Sequence, residues 1–116
     1  MTTKYKNEKC RVVVNGETHY FDSRHEARYF RELKILERAG CVADIQRQVR
    51  FHLIPAQKDK RGKLLERGVD YVADFTYTDT ATGDYVVVDA KGYKTRDYII
   101  KRKLMLWIHG IRVKEV

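Results

Sequence analysis

Between Tyr71 and Lys91 the sequence reads YVADFTYTDTATGDYVVVDAK, two strand-like runs around a turn-rich loop. Each run carries an aspartate where a strand normally carries an apolar residue. Asp74 sits between Ala73 and Phe75, and Asp89 follows Val86, Val87 and Val88. Pairing Asp79 with Asp84 leaves Thr80–Gly83 as a hairpin loop of common length. That register places Tyr77 opposite Val86 and Asp74 opposite Asp89. Opposed residues of an antiparallel pair share a face about 5 Å apart. Two carboxylates so placed repel unless a cation lies between them. Lys91, two residues beyond Asp89, shares its face by strand alternation and brings one positive charge. A divalent, oxygen-loving ion such as Mg²⁺ would bring the rest.

The flanking sequence supplies further elements. Cys10–Val14 and Glu17–Phe21 are β-prone runs around Asn15-Gly16, a two-residue hairpin signal. Ser23, with Glu26 three residues on, opens a helix that runs to about Ala39 and stops at Gly40. Its expected core stripe is Tyr29, Phe30, Leu33 and Leu36, and Glu26 projects near the middle of that stripe one turn earlier. Two readings of Glu26 stand open: the return half of a capping box, or a metal-site carboxylate facing the sheet.

Asp44–Ile54 alternates as a half-buried strand. Ile45, Val49, Phe51 and Leu53 face one way and Gln46, Gln48, Arg50 and His52 the other, with Arg47 interrupting the apolar side near the sheet end. The loop holding Lys58, Lys60, Arg61 and Lys63 reads equally as a solvated turn or as a grip on a phosphate backbone. Thr95 or Asp97 caps a second helix to about His109, with Ile100, Leu104, Trp107 and Ile108 as its apolar face and Arg102 pointing away. Lys94, Arg96, Lys101 and Lys103 gather just after the acidic pair, a position suited to phosphate contact. Ile111–Val116 reads as a last short strand.

Composition limits the function classes. The 116 residues suit one compact domain, and a hydrophobic content of 43% supports a real core. Residues 1–9 are polar and lysine-rich and read as a loose basic arm. A net charge of +8 favours a polyanionic partner, nucleic acid first. No apolar run approaches the roughly 18 residues of a membrane span, and no signal-peptide pattern opens the chain, so a cytoplasmic protein is expected. Cys10 and Cys41 fit no metal-ligand spacing and read as reduced thiols. The four histidines show no ligand spacing, and no P-loop or Rossmann glycine pattern calls for an organic cofactor. Serine-nucleophile chemistry finds only Ser23, which a helix cap explains.

The order helix, three strands, helix, strand, with Glu26, Asp74 and Asp89-x-Lys91 in sequence, resembles the PD-(D/E)xK or restriction-endonuclease-like nucleases over about Ser23–Val116. The nearest likeness is to small phage endonucleases related to Holliday-junction resolvases. The likeness rests on Ser23-x-x-Glu26, Tyr71-Val72-Ala73-Asp74-Phe75 and Val87-Val88-Asp89-Ala90-Lys91-Gly92. Ala73 stands where the superfamily name has proline. The resemblance implies an α/β restriction-endonuclease-like core, α-β-β-β-α-β, behind an N-terminal hairpin. It implies Asp74, Asp89 and the Ala90 carbonyl as ligands of Mg²⁺ or Mn²⁺, Glu26 completing or organising that site, and Lys91 positioning the attacking water. The expected reaction is phosphodiester hydrolysis in branched DNA by a homodimer, leaving 5′-phosphate and 3′-hydroxyl ends, in a phage-infected cell's cytoplasm. A nicking or general nuclease without junction preference, and a non-catalytic basic nucleic-acid-binding module, are the alternatives.

Overall fold

The computed structural model describes residues 10–116, so the expectation of a basic arm over residues 1–9 lies outside them. The first element is the hairpin of β1 (Cys10–Val14) and β2 (Glu17–Phe21). Asn15 at φ 52° and Gly16 at φ 83° both take left-handed backbone, as a type I′ turn requires. Ser23 then caps α1 (Arg24–Arg38), its Oγ accepting the Glu26 N–H at 3.1 Å.

The buried side chains of α1 are Glu26, Ala27, Phe30 and Leu33, all in its first three turns. The expected stripe is therefore corrected at its end: Leu36 is exposed and Tyr29 only partly buried. The N-terminal half of the helix packs on the hairpin and the sheet, and no residue of its last turn is buried.

The main sheet has four strands in the order β3 (Val42–Ile54), β6 (Val69–Asp79), β7 (Tyr85–Asp89) and β8 (Lys114–Glu115). The first two junctions are antiparallel and the last is parallel. Tyr77 pairs with Val86, and the Asp79 N–H donates to the Asp84 carbonyl at 2.8 Å, which is the expected hairpin register. The basic loop is neither a plain turn nor unstructured. It is a ribbon of β4 (Gln57–Lys58) and β5 (Leu64–Glu66), closed by Asp59, whose carboxylate accepts the N–H groups of Arg61 and Lys63.

Side-chain alternation on β7 divides the interior. Val86 and Val88 join Phe21, Phe30 and Phe75 on the α1 side, while Val87 joins Leu53, Tyr71 and Met105 under α2 (Arg96–His109). The protein is thus a mixed α/β layer structure, a sheet between two helices with the hairpin beside α1. No helix among the described residues is long and apolar enough to cross a membrane.

Helix α2 departs from its expected orientation. Ile100, Trp107 and Ile108 are exposed, Trp107 to 86%, and Met105 is the residue buried, with Tyr98 and Leu104 partly so. Arg102 does not point away but donates to Glu115 at 3.0 Å. Polar anchors explain the rotation: Tyr98 Oη also donates to Glu115, at 2.7 Å, which ties one helix seam to β8. Arg47 is likewise not at a sheet end; its guanidinium lies 3.8 Å from the centre of the Phe21 ring and donates to the Tyr20 carbonyl at 2.8 Å. Two substitutions check the helix orientation by urea denaturation. Met105→Ala should cost about 2–5 kcal/mol, whereas Trp107→Ala should change stability by less than about 0.5 kcal/mol.

Candidate active site

The strand β6 changes phase at Asp74. Tyr71 and Ala73 pack under α2, whereas Phe75 and Tyr77 pack on the α1 side. Strict alternation would keep all four on one face. Across the ladder, Arg47 pairs with Phe75 and Val49 with Ala73, and the intervening Gln48–Asp74 position makes no ladder pair. Gln48 takes φ 53°, left-handed backbone that a glutamine rarely adopts. The kink turns a wholly buried carboxylate, Asp74 at 0% exposure, toward the ends of β7 and α1.

Two donors meet Asp74 there. The Ala90 N–H donates to Asp74 Oδ2 at 2.7 Å, and Lys91 Nζ donates to Oδ1 at 2.6 Å. Asp89 is 5% exposed; its Oδ2 accepts the Tyr71 hydroxyl at 2.8 Å and its Oδ1 the Lys91 N–H at 3.1 Å. Because β7 ends at Asp89, Lys91 lies just past the strand rather than within it. It reaches the acidic pair through this turn, not through strand alternation. Glu26, also 5% exposed, accepts the side-chain amide of Gln48 at 3.2 Å. Ser23 thus makes its half of the capping box, while the Glu26 carboxylate faces the sheet.

The electrostatics mark these residues as one cluster. Burial and then the charge of Asp74 raise the Glu26 carboxyl above its usual value, against the pull of Lys91 and Arg47. Burial raises Asp89 too, with Asp74 adding to it and the Tyr71 hydrogen bond opposing. Burial alone would lower Lys91, but contact with Asp74 and the charges of Asp89 and Glu26 overcome that and hold its ammonium above the ordinary lysine value. Burial and the charge of Asp89 push the Tyr71 hydroxyl far up, so it remains a donor.

Three carboxylates against one close ammonium leave an anionic centre. Asp74 and Asp89 present hard oxygens, and each oxygen keeps a second lone pair beyond the bonds described. That suits Mg²⁺, which takes one or two carboxylates and retains water. Among the described residues no three His, Cys, Asp or Glu side chains form a ready-made metal cage. Glu26 therefore stands with the cluster electrostatically and is held by Gln48.

A cleft of about 480 Å³ opens beside Asp89 and Lys91, bounded by α2 and the ends of β3 and β6. Of the expected phosphate-contacting residues, Lys101 lines it, and Lys94 lies at its neighbour and pairs with Glu115 at 3.3 Å. Arg96 and Lys103 are exposed on α2 without lining the cleft. Lys58, Lys60, Arg61 and Lys63 belong to the β4–β5 ribbon. Sequence analysis gave no site role to Gln48, to Tyr71, or to Asp70, which Arg50 and His52 both bind, at 3.0 and 2.9 Å. Only Tyr71, three residues before Asp74 within the same strand run, carried a usable signal.

Two outcomes follow for stability. A raised carboxyl pKa means the native state binds its proton more tightly than the unfolded chain. Ionisation therefore destabilises the fold as pH rises above the ordinary glutamate value. In metal-free buffer Glu26→Gln should raise the melting temperature at neutral pH, and the gain should vanish as pH falls below about 4. At position 48, glycine should be more stable than alanine by about 1 kcal/mol in urea denaturation, because it relieves left-handed backbone. An ordinary strand position gives the reverse order.

A model of the family described as "Protein of unknown function (DUF1064)" matches residues 2–112. No curated protein and no solved structure matches the chain. With nearly its whole length covered, the chain belongs to the DUF1064 family.

Proposed function

We propose that the protein is a metal-dependent DNA endonuclease with a restriction-endonuclease-like core, acting on branched DNA as a homodimer. The observation that carries the reading is the bonding of the Lys91 ammonium and the Ala90 N–H to the buried Asp74, which joins that carboxylate to Asp89 and Lys91 at an open cleft. The element order and the +8 net charge support it.

In this reading Asp74, Asp89 and the Ala90 carbonyl hold Mg²⁺ or Mn²⁺. The ion, when bound, supplies Lewis acidity toward the phosphate and lowers the pKa of water. The residues of the chain do the rest. Tyr71 and the Lys91 N–H fix the Asp89 carboxylate, and the Ala90 N–H fixes Asp74. Gln48 keeps Glu26 turned toward the centre. The Lys91 ammonium orients the attacking water and offsets charge that develops on the phosphate. Water oxygen bonds to phosphorus, the bond to the 3′ oxygen breaks, and that oxygen takes a proton. The ends are a 5′-phosphate and a 3′-hydroxyl. Lys58, Lys60, Arg61 and Lys63 on the ribbon, with Lys94, Arg96, Lys101 and Lys103, contact phosphates along the flanking duplex. Symmetric cutting of a four-way junction takes two sites, which a C₂ dimer provides.

The Lys91–Asp74 contact also favours a second reading, in which the cluster is a structural ion pair within a DNA-binding module. One experiment separates them. Cleavage of a four-way junction, a flap and a plain duplex is measured with Mg²⁺ and Mn²⁺. Asp89→Ala should lose more than about 100-fold in cleavage, beyond what loss of a supporting partner costs, and should still bind DNA. Equal rates on junction and plain duplex would make the protein a general nuclease. No cleavage by the parent would leave the binding module.

A further inference from the structure

The cleft beside Asp89 and Lys91 differs from a phosphate groove in its walls. Three of its lining residues are tyrosines, 71, 93 and 98. Two of them spend their hydroxyls inside the protein: Tyr71 Oη donates to Asp89 and Tyr98 Oη to Glu115. Their rings pack 6.1 Å apart, centre to centre. Tyr93 is different. It is 72% exposed, on the turn between β7 and α2, and has no hydrogen bond or ring contact among the described residues. Lys101, on the α2 wall, forms no ion pair among the described residues. The volume of about 480 Å³ falls within the range of about 300–1,000 Å³ for pockets that enclose small ligands.

We infer that this cleft takes one unpaired nucleotide next to the scissile phosphate, its base stacked on the Tyr93 ring and its phosphate on Lys101. The inference rests on the nuclease reading for the position of the cut, and it names the substrate class: DNA that offers an unstacked nucleotide. An exposed aromatic face beside a cation is the arrangement that binds single strands without regard to sequence. A base already free of its stack enters without the cost of unpairing. Flaps and bulges are then better substrates than a fully paired duplex.

Binding is measured in EDTA, so that no hydrolysis is needed. The probes are a single-stranded oligonucleotide, a duplex, and a duplex with a one-nucleotide 2-aminopurine bulge whose fluorescence falls on stacking. The parent should quench the bulge. Tyr93→Ala should abolish the quench and weaken single-strand binding about 5- to 150-fold, the range for one base–aromatic stack. It should leave duplex binding within about 2-fold. Tyr93→Phe should retain both, since the ring alone stacks. The side chain is exposed, so neither change touches the core. An unquenched bulge with the parent protein, or equal losses on single strand and duplex in Tyr93→Ala, overturns the inference. A parent that cleaves DNA while Tyr93→Ala binds single strands normally sinks this inference and keeps the nuclease. A parent that never cleaves yet shows Tyr93-dependent quenching does the opposite.

Discussion

Asp74 is buried without any exposed surface, and a carboxylate so placed is tenable only with strong compensation. The Ala90 N–H and the Lys91 ammonium provide it from the turn that ends β7. The contact ties the middle of the central strand to the end of its neighbour. It also requires the Tyr77–Val86 register, since a one-residue slip would turn Asp89 to the other face of the sheet. Register, turn and charge cluster therefore depend on one another. Two apolar interiors meet at this point, one under each helix. The phase change of β6 at Asp74 lets a single strand serve both.

The parts of the fold that were legible in the sequence are those written in local chemistry. Asn15-Gly16 dictates a left-handed turn whatever surrounds it, and the N-terminal hairpin lies as expected. The loop between β6 and β7 follows from turn residues between β-branched runs. The identities of the clustered residues, Glu26, Asp74, Asp89 and Lys91, were legible for the same reason: charges in strand or buried-helix context stand out. Other features depend on tertiary structure. Gln48 in left-handed backbone has no local sequence signal, because glutamine has no preference for that region. The rotation of α2 follows from Tyr98 and Arg102 meeting Glu115, three residues brought together only by the fold. An apolar stripe on a helix says which face could be buried; these polar anchors decide which one is.

That rotation leaves Ile100 and Trp107 outside the core and puts Lys101 and Tyr98 along the cleft. The same turn of the helix that forfeits apolar burial thus furnishes the wall of the site. A chain that places part of its best core-forming residues outside its core has met a constraint other than stability. The strained backbone at Gln48 and the raised carboxyl groups of Glu26 and Asp89 point the same way.

The N-terminal hairpin looks like an accessory, since it shares no strand pairing with the main sheet. Arg47 removes that independence. Its guanidinium is seated on Phe21 and bonded to the Tyr20 carbonyl, and from there its charge acts on Glu26 and Asp74. The hairpin is in effect a mounting that seats a positive charge of the main sheet beside the acidic centre. Drift in hairpin sequence can therefore retune the field at the carboxylates while every residue of the centre itself stays unchanged.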